Sequence, residues 1–206
     1  MDYDLFKGIN GLAGHSGAVD ALMEMIATKG PYILLAIMAL LWLLPRPTVP
    51  RGLERRLVIY AGVTAAIALG SNQILGHLWD RPRPFVAHHV TLLIVGSHDS
   101  SFPSDHAALG FGLALPVLLG RRDWGLLLVV GALILSFARV YVGAHYPGDI
   151  AGSLIVAAIT TAVVWACRGL LEIPIEWIMP LLARVRLAST TDTQPPPGLL
   201  GAPAPA

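Results

Sequence analysis

Charge is what this 206-residue chain has least of: Asp, Glu, Lys and Arg make up 13% of it, against 55% hydrophobic residues. That charged share is about half of what an average soluble domain carries, and the mean hydropathy is +0.66, so a soluble globular reading is excluded. Lysine is nearly missing, present only as Lys7 and Lys29, and the formal net charge is +1. With no long basic run, nothing suggests a surface built to neutralise nucleic-acid phosphates. The one cysteine, Cys167, lies in an apolar run and has no partner in the chain, which excludes a disulfide framework or a cysteine-rich zinc site. The amino terminus is acidic and polar rather than basic, so no cleavable signal peptide is expected and insertion must rely on internal segments.

Those segments are present. Crossing a hydrocarbon core about 30 Å thick takes about 20 apolar residues. Leu57 to Trp79, Trp124 to Val142 and Ile150 to Leu170 meet that length, while Pro31 to Leu44 and His106 to Gly120 must borrow flanking turns. The expected architecture is all-α, a polytopic membrane bundle of five or six spans. The embedded domain is expected over residues 1–187. Within it, residues 4–26 mix apolar positions with His15, Asp20 and Glu24, and the segment 1–28 is read as interfacial rather than as a sixth span. Residues 173–187, with Trp177 and Met179 facing Glu176, Arg184 and Arg186, form a second expected interfacial helix. Residues 188–206 are rich in Pro, Thr and Gly and are expected to be a disordered tail.

Short loops rich in arginine stay cytoplasmic. Arg46, Arg51, Arg55, Arg56, Arg121, Arg122, Arg168, Arg184 and Arg186 all fall on one side of this layout. Arg81, Arg83 and Arg139 fall on the other, beside most of the histidines. Arginines on the disfavoured side point to an anionic ligand, with snorkelling to lipid headgroups as the plain alternative.

Three clusters meet on that outer side: Arg81-Pro82-Arg83-Pro84, Pro103-Ser104-Asp105-His106, and Arg139 through His145 to Asp149. Ser104 precedes a span, where a hydroxyl and free N–H groups can face an anion, although Ser-Asp ahead of a helix is also ordinary capping. His145 has Arg139 six residues before it and Asp149 four after it; a bend at Gly143 or Pro147 would bring the three together. A histidine whose second nitrogen is fixed by a carboxylate is a better nucleophile or base. His15, His77, His88, His89 and His98 lack such company and read as structural hydrogen bonders.

In order and spacing the clusters resemble the signature of the type 2 phosphatidic acid phosphatase superfamily, K-x6-R-P, P-S-G-H and S-R-x5-H-x3-D. The likeness runs from Asn72 to Asp149. Gly76 stands where the lysine would be, Asp105 replaces the glycine and Ala138 the serine. A carboxylate at Asp105 repels a diphosphate unless it is turned away toward an arginine. The run Arg81 to His89 with Ser101 to His106 is similar to the bacitracin-resistance branch, the undecaprenyl pyrophosphate phosphatases.

The resemblance implies a helical membrane fold with its site at the outer face of the bacterial cytoplasmic membrane. His145, oriented by Asp149, would attack phosphorus to form a phosphohistidine, and His106 would protonate the leaving oxygen and then activate water. Arg83, Arg139 and Ser104 would hold the phosphoryl oxygens; Arg81 is either a second substrate contact or an interfacial arginine. No cofactor or metal is expected. The implied partner is a polyprenyl diphosphate in the lipid, with Phe85, Val86, Tyr141 and Tyr146 placed to border its tail. Phosphatidate and phosphatidylglycerol phosphate stay compatible, and oligomeric state is left open. Rivals of other classes are a lipid transporter or flippase, a histidine metalloenzyme using His88, His89 and His98, and an intramembrane protease using Ser104 and His145.

Overall fold

The computed structural model describes residues 1–43 and 51–184. Eight helices follow in order: α1 (Asp2–Asn10), α2 (Gly17–Leu43), α3 (Arg51–Trp79), α4 (Pro84–Ala87), α5 (Asp105–Gly120), α6 (Arg122–Tyr141), α7 (Pro147–Ala166) and α8 (Arg168–Arg184). Among the described residues there is no strand. Four stretches, those containing α2, α3, α6 and α7, are long and apolar enough to cross a membrane, and α5 is a shorter apolar helix. With hydrogen bonds closed within each segment, helices are what a chain of this composition can place in lipid.

The spans expected at Leu57, His106, Trp124 and Ile150 correspond to α3, α5, α6 and α7. The amino-terminal expectation needs correction. Residues 4–26 are not one interfacial element: α1 stops at Asn10, and residues 17–28 belong to α2, which runs without a break through Pro31 to Leu43. One of the polar residues that weaken this span, Asp20, has partners. Asp20 accepts the Tyr141 hydroxyl at 2.8 Å and the Gly14 N–H at 3.1 Å, which removes the penalty for placing it at a span end. Of the expected helix at 173–187, residues 173–184 are the second part of α8, which contains Pro174 and Pro180, and 185–187 lie outside the described residues. Arg46, Arg186 and the tail 188–206 lie outside the described residues, as do the side chains of Arg51 and Arg184.

α5 is the central helix, packed against α3, α6 and α7. Its first turn to its last is largely buried, and Leu113, Ala114 and Val117 join Leu34, Met38, Ala61, Ala65, Leu128 and Leu135 in the main core. Small residues permit this approach: a Cβ on Gly112 would sit 2.8 Å from the Ala65 Cα, so only glycine fits where α5 crosses α3. α7 shows the lipid-facing periodicity, with Ile155, Ile159 and Val163 exposed and Ser153, Ala157 and Val164 turned inward. At 16 residues, α5 is about 24 Å long and shorter than its neighbours. Its amino terminus opens into a cavity formed with the carboxy-terminal end of α3 and residues from α6 and the loop before α7.

The opposite end of the bundle is closed by ion pairs. Arg56 on α3 donates to Glu172 on α8 at 2.7 Å with both side chains buried, and the Tyr60 hydroxyl donates to the same carboxylate. Arg121 bridges Glu54 at 2.6 Å and Asp123 at 2.6 Å.

Candidate active site

α3 ends at Trp79, and Asp80 turns the chain with φ 28°, a left-handed conformation that Asp tolerates better than most residues. The extended run that follows is pinned to the loop before α5: Ser101 N–H donates to the Arg81 carbonyl at 2.8 Å, and Arg81 N–H donates to the Ser100 hydroxyl at 3.1 Å. This docking sends the Arg83 side chain inward, 6% exposed, toward the loop joining α6 to α7. That loop turns at Gly143, φ 85°, where a Cβ would meet the Thr91 carbonyl oxygen at 2.8 Å. The turn delivers His145 to the cavity wall, almost fully buried, and α7 begins at Pro147 immediately after it.

The imidazole is fixed at both nitrogens. Nε2 faces Arg83 Nη1 at 3.2 Å and Arg139 Nη2 at 3.4 Å. Guanidinium groups have donors only, so Nε2 must carry the lone pair and Nδ1 the proton. Nδ1 lies 2.8 Å from the Ser101 carbonyl, which accepts that proton. Burial lowers the His145 pKa from its ordinary value, and the charges of Arg139 and Arg83 add to this while Asp149 opposes it. The ring is therefore neutral, with the lone pair of Nε2 between two cations.

Asp149 stands 3.7 Å from Nδ1, beyond hydrogen-bond reach. Its oxygens accept from the Tyr146 N–H at 2.8 Å, the Ser101 hydroxyl at 2.5 Å and Arg81 Nη1 at 2.7 Å. The direct orienter of His145 is thus the Ser101 backbone carbonyl, while Asp149 holds Ser101 and adds negative charge nearby. Sequence reasoning had no way to find Ser101, because it acts through its main chain.

The other expected residues divide. Arg83, Arg139, His106 and His145 line one cavity of about 470 Å³. Ser104 holds the N-cap position of α5 without a side-chain capping bond and does not line that cavity; its hydroxyl is buried with no partner among the described residues. Arg81 does not line that cavity: it is bound to Asp149 and, at 2.6 Å, to Asp2, with its guanidinium 4.1 Å from the centre of the Tyr146 ring. Tyr141 and Tyr146 are buried, which removes them from any lipid-facing border. His88 stacks on Tyr3 at 3.8 Å and does not line the cavity that His98 lines. Among the described residues no three His, Cys, Asp or Glu side chains are grouped so as to hold a metal ion.

Two carboxylates on the cavity wall gain an account. Asp105 accepts from the side-chain amides of Asn72 and Gln73 on α3, each at 3.0 Å, so amides rather than an arginine satisfy it. Asp99 pairs with Arg83 Nη2 at 3.0 Å. Partial burial works against its charge, yet the Ser97 hydrogen bond and Arg83 hold its carboxyl below the usual range.

A neutral imidazole nitrogen between two guanidiniums, at one end of a membrane bundle, suits a membrane enzyme acting on phosphoryl groups. The chain belongs to the PAP2 superfamily, whose family model matches residues 57–172. It is 37% identical over 159 residues to undecaprenyl-diphosphatase BcrC of Bacillus subtilis (strain 168), covering 77% of this chain and 80% of that one. Over 140 residues it is 34% identical to YbjG of Escherichia coli (strain K12), covering 66% and 67%. The crystal structure of Aquifex aeolicus LpxE matches with a TM-score of 0.61 at 21% identity, over 79% of this chain and 93% of that one, which supports the fold. The protein is a multi-pass membrane phosphatase acting on a lipid substrate.

Proposed function

We propose that the protein hydrolyses undecaprenyl diphosphate to the monophosphate and inorganic phosphate, through a phosphohistidine at His145, on the outer face of the bacterial cytoplasmic membrane. The observation that carries this reading is the placement of Nε2 between Arg83 and Arg139 on a cavity at a bundle end. The relative BcrC is named for this substrate, and nine of the twelve arginines belong to the opposite side of the membrane layout, which supports an outward site.

The chemistry follows from the donors. A terminal phosphoryl group entering the cavity takes over the guanidinium hydrogen bonds now made to Nε2, which frees the lone pair as it meets phosphorus. Nε2 forms the new bond while the bridging oxygen departs with the lipid monophosphate. Arg83 and Arg139 stabilise the equatorial oxygens. The ring becomes cationic, and the Ser101 carbonyl and the Asp149 carboxylate oppose that charge. His106 protonates the leaving oxygen where it needs protonation, then takes a proton from the water that attacks the phosphohistidine. Release of phosphate restores neutral His145.

Purified protein supplied in parallel with undecaprenyl diphosphate, phosphatidate and phosphatidylglycerol phosphate tests the reading. The diphosphate should give the highest kcat/KM by phosphate release. Preference for either monoester would refute the substrate, and lipid movement across vesicles without phosphate release would refute catalysis.

A further inference from the structure

α1 reaches the site by a route that the reaction above does not use. The helix is anchored by buried Phe6, by Tyr3 on His88, and by Asn10, whose amide donates to the Thr91 and Tyr141 carbonyls at 2.8 Å each. This fixes Asp2 beside the start of α7. One Asp2 oxygen accepts from the Gly148 N–H at 2.8 Å, and the other pairs with Arg81 Nη2 at 2.6 Å. The other terminal Arg81 nitrogen, Nη1, holds Asp149 at 2.7 Å. A Cβ on Gly148 would lie 2.7 Å from the Asp2 carboxylate, so glycine at that position is what lets the acid approach the backbone next to Asp149.

We propose that Asp2 is a positioning residue for the phosphatase reaction, acting through Arg81 to hold Asp149 in place and to preserve its negative charge beside His145. This rests on His145 being the nucleophile. Arg81 alone would fix Asp149 but would cancel its charge. Sharing the guanidinium between two carboxylates fixes the geometry and leaves the trio with one net negative charge. That charge lowers the cost of the imidazolium that forms when Nε2 bonds to phosphorus.

The ionisable groups around His145 are Arg81 and Arg83 after α3, Asp99 in the following loop, His106 on α5, Arg139 on α6 and Asp149 on α7, with Asp2 on α1 behind Arg81. Only the Asp2 and Arg81 charges are altered in the test. Removing the Asp2 charge makes the trio neutral and disfavours protonated His145. Removing the Arg81 charge makes the trio more negative and favours it. A unit charge acting through partly solvated protein moves such a group by about half a pH unit.

The experiment is the pH dependence of kcat/KM for farnesyl diphosphate, a short-chain polyprenyl diphosphate, with full-length protein in detergent. Asp2→Asn should move the acid limb down by about half a unit, and Arg81→Gln should move it up by about as much. Asp2→Asn should also lower kcat about threefold to tenfold with KM little changed, and Asp2→Glu should recover most of that loss. Substrate ionisation is common to every variant and cancels in the comparison. Limbs that stay in place or move together would overturn the proposal, because a purely structural clasp lowers the active fraction without opposite shifts. If Arg81→Gln does not fold, Asp2→Asn decides alone: a downward shift supports the proposal and an unmoved limb overturns it. His145→Ala, run alongside, separates the two ideas, since retained turnover there would defeat the nucleophile assignment itself.

Discussion

The pair between Asp99 and Arg83 makes a quantitative prediction about substrate binding. Arg83 Nη2 is bound to the Asp99 carboxylate at 3.0 Å, so a phosphoryl group held by Arg83 as proposed would share that guanidinium with a resident anion that competes for its charge. The carboxylate side chain is 63% exposed, which places the pair near the weak end of ion pairs, about 0.2–1 kcal/mol. Because Asp99 is held ionised below the usual carboxyl range, this competition operates throughout neutral pH. Asp99→Asn keeps the backbone carbonyl that accepts from Arg83 Nε at 3.1 Å, so the arginine stays in place while its competitor loses charge. Full release of that pair would lower KM by a factor of about 1.4 to 5, with kcat little changed. Steady-state phosphate release against diphosphate concentration measures it, and raising salt should shrink the difference between the two proteins. An unchanged or increased KM would refute the reasoning, since it would mean that Asp99 helps to shape the phosphate site rather than competing for it.

Other outcomes follow from the same geometry. His145→Ala should abolish phosphate release with the fold retained, and Asp149→Asn should cost less, because it stabilises the imidazolium without bonding to phosphorus; single-turnover labelling distinguishes the two. The proposed reaction needs neutral His145, whose pKa is lowered by burial, so activity should be kept as pH falls through the ordinary histidine value of about 6.5 and lost only below it. His106→Ala should let a phosphohistidine accumulate from the diphosphate, whose leaving phosphate is stable as an anion, while a lipid monoester should barely phosphorylate the enzyme. Glu172→Ala strips Arg56 of its buried carboxylate partner and should cost about 3–5 kcal/mol, seen as a lowered thermal midpoint with KM preserved in the protein that remains folded.

Spans and motif clusters were legible in the sequence because each follows from local composition or short spacing. Apolar runs marked α3, α6 and α7, and the spacing from Arg139 to His145 and Asp149 was enough to suggest one site. What could not be read depends on contacts between distant segments or on the main chain. The Asp20 and Glu24 charges made residues 4–26 look interfacial, since nothing in the sequence says that Tyr141 donates to Asp20. Ser101 orients His145 through a carbonyl, which any residue would supply. Asp105 looked unfavourable beside a diphosphate until the amides of Asn72 and Gln73 were found facing it.

The arginines show most clearly where sequence and structure divide the work. Counting them by loop separates two membrane sides but does not say which ones bind a ligand, since an arginine sunk in a membrane protein is costly whatever its purpose. The carboxylates around each guanidinium decide that. Arg56 has Glu172, Arg121 has Glu54 and Asp123, and Arg81 has Asp2 and Asp149, so each has its counter-charge within the protein. Among the described residues, Arg83 has only the exposed Asp99. Arg139, 7% exposed and on the cavity wall, has no carboxylate within ion-pair distance among the described residues, and its Nε has no hydrogen-bond partner. A buried charge left in that state is costly, and the anion brought by the proposed substrate would offset that cost. Arg81 and Arg83 stand two residues apart in one motif, yet the same criterion separates them: the first is taken up by Asp2 and Asp149, while the second, with Arg139, keeps the capacity that the proposed phosphoryl site requires.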